Sequence, residues 1–280
     1  MLSEVSSILK YKVSFRVRRS LCHVSLVTML ASLPPQDVLF PLVLARLAPS
    51  DLFHVRGCSS ELHSLVTDFF SYNRSLDLSY NKRLTKEAFK IITTSHHIRN
   101  LSLAGLKFLT DDLLRPLLQR NPHIVSLDIS DCQHLTAGIL QTLSVLSYQL
   151  ERLVLRDCHW VTREALEYHA HHQGRSVNRP DLAQLSSPGL RVDTAKSPQP
   201  SKPTPKSNLR EVELTGCWEL NDQVLVNFVS NFPELRVVKL GKIYSVTDTF
   251  MKGLAKHSRH LQTLDITGCW RVSDQGTANI

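Results

Sequence analysis

A hydrophobic pattern that returns at a nearly constant distance is the feature that most constrains this chain. Seven segments follow or closely approach the order Leu-x-x-Leu-x-Leu, and the middle apolar residue of each serves as its anchor. These anchors are Leu76, Leu101, Leu127, Leu153, Val212, Val238 and Leu264. Successive anchors lie 25, 26, 26, 59, 26 and 26 residues apart. The long step equals one period plus an insertion, so the pattern predicts a stack of seven similar units.

Each unit is predicted to hold one short strand and one helix. The Leu-x-Leu alternation is typical of a strand with one buried face, and Thr162 followed by Glu164 suits the start of a helix. Apolar residues at helical spacing come next, for example Leu113, Leu114, Leu117 and Leu118, or Val224, Leu225, Phe228 and Val229. One unit cannot bury its own apolar face, so we predict an α/β solenoid of about seven stacked repeats. The sequence ends at Ile280, where the seventh helix should continue, and we expect an incomplete last repeat of a chain truncated from a longer parent. A partner that covers the last apolar face is the alternative.

Four of the six cysteines occupy one register, five residues after an anchor: Cys132, Cys158, Cys217 and Cys269. We predict that they are small buried side chains whose S–H groups meet the backbone of the turns. A redox or metal ladder is the alternative. Only Cys132 and Cys158 are expected to be register neighbours, and parallel side chains at strand spacing lie too far apart for a disulfide. We therefore expect neither metal nor cofactor. We also expect a reducing compartment, the cytoplasm, with the nucleus as an additional location.

A helical segment is predicted before the first repeat, over about residues 33–72. It reads as two or three short helices, and Pro41 is expected to begin or kink a helix because proline lacks the backbone N–H. Its apolar residues are too many for one face of a small bundle, so some of them must meet a partner. They are Val38, Leu39, Leu42, Val43, Leu44, Leu47 and Leu52.

This segment resembles an F-box. The resemblance rests on Leu33-Pro34, the pair Val38-Leu39, Leu44, Leu47, Asp51-Leu52 and the trailing segment 58–65. An F-box followed by leucine-rich repeats with this cysteine register resembles the F-box/leucine-rich-repeat family, over about residues 33–172 and 208–280. That resemblance implies a leucine-rich-repeat fold, whose period of about 20–29 residues agrees with the spacing found here.

The resemblance also implies a function. Members of this family are substrate-recognition adaptors of SCF (Skp1–cullin–F-box) E3 ubiquitin ligases and do no chemistry themselves. The implied Skp1-binding residues, expected to be exposed in the free protein, are Leu33, Pro34, Val38, Leu39 and Leu44. The alternative is a leucine-rich-repeat interaction scaffold without ligase association, in which the F-box-like segment only caps the solenoid.

The predicted substrate surface follows the strands. Outward strand positions should line the concave face, among them Asp77, Ser102, Asp128, Arg152, Val154, Arg156, Glu211, Glu213, Lys239 and Asp265. Exposed aromatic rings and arginines are typical binding hot spots. We therefore predict a protein substrate at Phe108, Arg152, Arg156, Trp160, Trp218, Tyr244 and Trp270. The alternative is that the rings only pack over the edges of the loops.

Positive charge is concentrated outside the repeats. The net charge is +8, and residues 1–32 and 173–207 carry +4 each, so the remainder is neutral. A nucleic-acid binder should carry its basic residues on the folded surface, so nucleic acid is disfavoured as a partner. The sequence contains no run of eighteen apolar residues, so no membrane-spanning helix is predicted. A nucleic-acid-binding or organelle-targeted protein that uses these basic segments remains a third, weaker interpretation.

The segments outside the repeats receive separate predictions. Residues 1–32 are predicted to be a basic extension, with a targeting segment as the alternative. Residues 173–207, rich in proline and serine, divide the repeats into 73–172 and 208–280 and should form a disordered loop. They are either a tolerated insertion or a regulated one, phosphorylated at Ser187, Ser197 and Thr204.

No catalytic constellation stands out in the sequence. It contains no nucleophile elbow, phosphate loop or HExxH motif. His169, His171 and His172 cluster near the end of a predicted helix, and we expect them to be solvated. The sequence therefore predicts a protein that is not an enzyme.

Overall fold

Seven parallel strands form the sheet predicted from the repeats. The computed structural model describes residues 33–44, 47, 49–92, 95–146, 149–172 and 208–278. The strands are β1 (Ser75–Asp77), β2 (Asn100–Ser102), β3 (Ser126–Asp128), β4 (Arg152–Val154), β5 (Glu211–Glu213), β6 (Val237–Lys239) and β7 (Thr263–Asp265). They lie side by side in chain order, so the predicted α/β solenoid is confirmed.

The anchors fix the register of this sheet. Each anchor pairs with the anchor of the next strand, from Leu76 opposite Leu101 to Val238 opposite Leu264. Leu153 pairs directly with Val212 across the long step. The interpretation of that step as one period plus an insertion is therefore confirmed.

Helices cover one face of the sheet. Those of the repeats are α4 (Lys86–Ile92), α5 (Asp111–Arg120), α6 (Gly138–Leu146), α7 (Arg163–His172), α8 (Asp222–Asn231), α9 (Asp248–His257) and α10 (Asp274–Thr277). The Thr162 hydroxyl accepts a hydrogen bond from the Ala165 N–H at 3.3 Å, which confirms the predicted cap. The apolar helical positions are buried as predicted, except that Leu113 is only partly buried.

Three helices precede the repeats, within the stretch that we call the helical module (residues 33–72). They are α1 (Pro35–Val43), α2 (Pro49–Arg56) and α3 (Ser60–Tyr72). α1 is a π-helix, and Pro41 lies inside it instead of beginning it. Proline has no backbone N–H and so interrupts the α-helical hydrogen-bond ladder. Wide π-helical turns occur at such interruptions.

The helical module and the repeats share one hydrophobic core. Leu39 and Leu44 are both buried, in the same cluster as Phe69, Leu76 and the side chains of the later repeats. The Ser95 hydroxyl in the first repeat donates to the Phe70 carbonyl of α3 at 2.9 Å. The expectation that Leu39 and Leu44 are exposed in the free protein is therefore wrong, because both side chains belong to this hydrophobic cluster.

His169 is also placed differently from the expectation. It is fully buried on α7, where its ring stacks on Phe232 with centroids 6.2 Å apart. The histidine faces inward because α7 packs between α6 and α8. The solvated position predicted for it is wrong. In the described part of the chain, no helix is long and apolar enough to cross a bilayer.

Candidate protein-binding surface

A row of aromatic rings lies at the turns that follow the strands. Trp218, Tyr244 and Trp270 each come directly after the cysteine register, and they are 57, 56 and 81% exposed. His159 occupies the same position one repeat earlier, and the Trp218 Nε1–H donates to its Nδ1 at 2.8 Å. The rings of Tyr244 and Trp270 lie 6.3 Å apart. We call these four residues the ring row.

Two rings predicted for the same surface lie differently. Trp160 is partly buried, and its Nε1–H donates to the Cys132 carbonyl of the preceding repeat at 2.9 Å. Phe108 is also partly buried and packs edge-to-face on Phe89 with centroids 6.0 Å apart. Each lies one residue further along its turn than the ring row does, and each contacts the preceding repeat. These two rings therefore pack over the edges of the loops, which is the alternative to substrate binding given above.

Charged side chains form ion pairs along the concave face beside the ring row. The guanidinium group of Arg152 lies 3.1 Å from the Glu211 carboxylate. Glu213 lies between two cations, 3.3 Å from both Arg156 and Lys239. Both arginines remain about half exposed, so they can still contact a partner while their charges are balanced locally.

Two of the outward strand positions are buried by their neighbours. Val154 is buried, opposite Glu213 in the neighbouring strand, and Glu213 itself is largely buried. Val154 and Glu213 occupy the outward strand positions predicted for them, and the Arg156 and Lys239 side chains that pair with Glu213 cover part of its surface.

Aspartates at the ends of three strands shape their own turns. The Asp77, Asp128 and Asp265 carboxylates each accept a backbone N–H two residues further on, at 2.9, 3.0 and 2.9 Å. Hydrogen bonds from Thr267 hold the pKa of Asp265 below its ordinary value. Aspartate often stabilises a turn in this way, so the main role of these carboxylates is to stabilise the turns that follow the strands.

The cysteine register behaves as predicted. The Sγ–H groups of Cys132, Cys158 and Cys217 donate to backbone carbonyls of the preceding repeat, at 3.3, 3.4 and 3.1 Å. Burial raises the pKa of Cys132 and Cys217 to about 12, so these thiols carry little of the nucleophilic thiolate. Among the described residues, no group of three His, Cys, Asp or Glu could hold a metal ion.

One detail of the prediction for the cysteine register is wrong. Cys158 has two register neighbours, Cys132 and Cys217, because β4 pairs directly with β5. The insertion separates Cys158 from Cys217 in sequence but not in the stack.

The residues assigned to Skp1 binding lie in α1 or directly beside its ends. Leu33 is partly buried against the core and Pro34 is exposed, whereas Leu39 and Leu44 are buried; the side chain of Val38 lies outside the described set. A cleft of about 590 Å³ opens beside Pro34, Asp37, Asp68 and Tyr72. The predicted phosphosites Ser187, Ser197 and Thr204 lie outside the described residues.

Comparison with known proteins identifies the repeat. Residues 120–144 and 257–279 match the family model described as "Leucine Rich repeat". Solved structures with some likeness include Rad7 in its complex with Elc1 from yeast, at 15% identity and a TM-score of 0.48, covering 93% of this chain and 70% of that one. LegL7 from Legionella pneumophila has 14% identity and a TM-score of 0.43, with coverages of 85% and 67%. Internalin C2 from Listeria monocytogenes has 18% identity and a TM-score of 0.25, with coverages of 68% and 77%. The matched segments and the stacked strand–helix units together show that the chain has a leucine-rich-repeat fold.

Proposed function

We propose that the chain is a substrate-recognition adaptor of an SCF E3 ubiquitin ligase. The repeats bind a protein substrate, and the helical module docks on Skp1, which links the adaptor to a cullin. The ring row is the observation that carries the binding role, and the F-box resemblance supports the ligase role. The adaptor itself contributes no catalytic residue.

The ring row has the chemistry of a protein-binding hot spot. Three large rings lie on consecutive repeats, and each is more than half exposed. Exposed apolar surfaces on soluble proteins mark interaction sites, and Trp, Tyr and Arg are enriched at their centres. Arg152 and Arg156 lie on the adjoining concave face. The rings together with these two arginines therefore form the proposed substrate site.

The Skp1 face is proposed at the start of α1. Pro34, Pro35, Gln36 and Asp37 are all exposed there, and Leu33 is within reach of a partner because it is only partly buried. Because Leu39 and Leu44 are buried, they contribute by holding α1 in place. This revises the expected contact set from the middle of α1 towards Leu33, Pro34 and the residues that follow.

A pair of variants tests the two roles separately. Pro34→Glu places a charge on the proposed Skp1 face, while Trp218→Ala with Trp270→Ala removes two rings of the substrate surface. Full-length wild type and variants are expressed in cells, and the proteins that co-purify are quantified. We expect Pro34→Glu to lose Skp1 and the cullin while keeping the substrates, and the ring variant to show the opposite.

Control variants sharpen this test. Tyr80→Ala removes a ring of similar exposure in the first repeat, and Lys252→Glu changes an exposed charge on α9; both should co-purify with the same proteins as the wild type. If the purified wild type does not retain Skp1 when the two proteins are mixed at micromolar concentration, the ligase role is refuted. Unchanged co-purification by the ring variant would refute the substrate site.

One observation favours a second candidate function. The core is continuous from the helical module into the repeats, as expected of a cap that protects the first apolar face of a solenoid. In that case the chain is an interaction scaffold without ligase association. The same pull-down separates the two functions, because the scaffold retains the ring-dependent partners but never retains Skp1.

A further inference from the structure

A row of arginines lies at the opposite end of the strands from the ring row. Arg74, Arg99, Arg210 and Arg236 are the residues directly before β1, β2, β5 and β6. Their backbones stack in register: the Arg99 N–H donates to the Arg74 carbonyl, and the Arg236 N–H donates to the Arg210 carbonyl, both at 2.7 Å. All four residues are exposed. We call them the basic edge.

The fold does not require positive charge at these positions. Val125 and Gln262 occupy the same position before β3 and β7 without a charge. Favourable interaction with a helix dipole extends only over the last turn of a helix. It accounts for Lys256 and His257 in the last turn of α9, but Arg99 and Arg236 lie well beyond the ends of α4 and α8.

The arginines form two pairs with one acid between them. Arg74 and Arg99 are on adjacent strands, as are Arg210 and Arg236, and Glu151 occupies the same position before β4. The Arg210 guanidinium lies 3.4 Å from the Glu151 carboxylate, and both side chains are at least 40% exposed. Such an exposed pair contributes little to stability, so Arg210 can exchange this partner for another carboxylate at low cost.

We propose that the basic edge binds an extended acidic segment of a partner protein. At about 4.8 Å per strand, the row from Arg74 to Arg236 spans about 24 Å, which about seven extended residues would cover. The two arginine pairs call for carboxylates in two groups, with a neutral or basic residue opposite Glu151. Arginine suits this role because its planar guanidinium can bind a carboxylate through two parallel hydrogen bonds.

Glu151 favours a polypeptide over a polyphosphate. A nucleic-acid strand or an anionic membrane presents negative charge without interruption, and Glu151 would repel it at the middle of the row. A polypeptide can leave that position uncharged. The basic edge and the ring row lie at opposite ends of the strands, so this proposal does not depend on the proposed substrate site.

Fluorescence anisotropy with the full chain tests the proposal. The probe is a labelled peptide of about ten residues with two Glu-Glu pairs separated by Ser and Gly, titrated with protein at low salt. We expect Arg99→Glu with Arg236→Glu to weaken binding about tenfold or more, since each reversal replaces an attraction with a repulsion. Arg99→Gln with Arg236→Gln should give a smaller loss, and unchanged melting temperatures would show that both variants are folded.

A charge-matched variant on the opposite edge serves as the control. Lys82→Glu with Lys107→Glu changes the net charge equally, at exposed residues of the turns after β1 and β2, and should bind the probe like the wild type. Equal weakening by this control, or no binding by the wild type at low salt, would overturn the proposal.

Tighter binding of an oligothymidylate or of phosphatidylserine vesicles than of the peptide would overturn it in favour of those ligands. A peptide of the same composition with evenly spaced glutamates should bind more weakly, and equal binding would overturn the two-group pattern.

Discussion

At the scale of single residues, His169 is an acid-sensitive point in the core. Its Nδ1 lies 3.2 Å from the Leu140 carbonyl oxygen, while its Nε2 has no hydrogen-bond partner among the described residues. Burial lowers the pKa of His169 from 6.5 to about 4. The unfolded chain therefore binds this proton more readily than the folded one. The resulting stability is complete above pH 6.5 and falls as the pH drops from 6.5 towards 4.

We predict that His169→Leu reduces the acid sensitivity of folding. The lowered pKa implies that wild type loses about 2 kcal/mol of unfolding free energy between pH 7.5 and pH 5 through this group, and the variant should lack that share of the loss. Urea denaturation at the two pH values measures it. His260→Ala, at an exposed position, should keep the wild-type pH dependence. An identical pH dependence in wild type and His169→Leu would contradict the prediction.

Residue positions could be predicted where a repeated pattern carried them. The burial and hydrogen bonding of Cys132, Cys158 and Cys217 follow from a register that recurs through the repeats. A shift of one residue separates the exposed Trp218 from the partly buried Trp160, and composition alone does not distinguish such neighbours. His169 resembles a solvated polar residue in sequence because its burial depends on α6 and α8, which lie on either side of it in the fold.

At the scale of helices and strands, side-chain bridges join consecutive repeats. The Asp222 carboxylate in the first turn of α8 accepts the Thr247 N–H at 2.9 Å and also the Thr247 hydroxyl. Asp248 does the same for Ser273, at 2.8 and 2.6 Å. Each bridge ties the start of one helix to the residue before the next helix. The bridges therefore add directional bonds to an interface that is otherwise apolar.

We predict that Asp222→Ala destabilises the fold by about 1–2 kcal/mol, since it leaves a partly buried N–H and a hydroxyl without their acceptor. Asp112→Ala is the matched control. Asp112 is an exposed carboxylate in the first turn of α5, where the neighbouring Asp111 binds Thr136 of the next repeat instead, so its loss should cost well under about 1 kcal/mol. Chemical denaturation of both variants measures the difference, and equal losses would refute a bridging role.

Sequence reasoning located the elements of the repeats better than those of the helical module. A period repeated seven times fixes each strand from several independent copies, and every anchor pairs as predicted. The module has no internal repeat, so its apolar residues could not be divided between a partner and the core. Leu39 and Leu44 were predicted to contact the partner, yet both are buried in the hydrophobic core.

At the scale of the whole molecule, the solenoid places two chemically different edges on one continuous sheet. The ring row follows the strands and the basic edge precedes them, and both repeat with the period of the fold. Their members are exposed residues that are free to vary without disturbing the leucines between sheet and helices. The rings could be predicted from their residue type, whereas the arginine row follows only from the positions at which the strands begin.

The last prediction concerns the insertion between the fourth and fifth repeats. Three residues separate the end of α5 from Ile124, the end of α8 from Leu235 and the end of α9 from Leu261. Deleting residues 175–206 would leave four residues between His172 and Leu209, which is enough to make the same connection. β4 already pairs with β5 in the common register. We therefore expect the deletion variant to keep the circular dichroism spectrum of the parent.

Its melting temperature should be unchanged or higher, because each halving of loop length lowers the closure cost by roughly 0.6 kcal/mol. A variant with residues 175–206 replaced by Gly and Ser at equal length is the control, and it should melt like the parent. Aggregation of the deletion variant beside a stable replacement would show that the shortened connection strains the stack. Loss of stability in both would show that side chains of the insertion contribute to folding. Either result would contradict the view that the repeats specify the solenoid without the insertion.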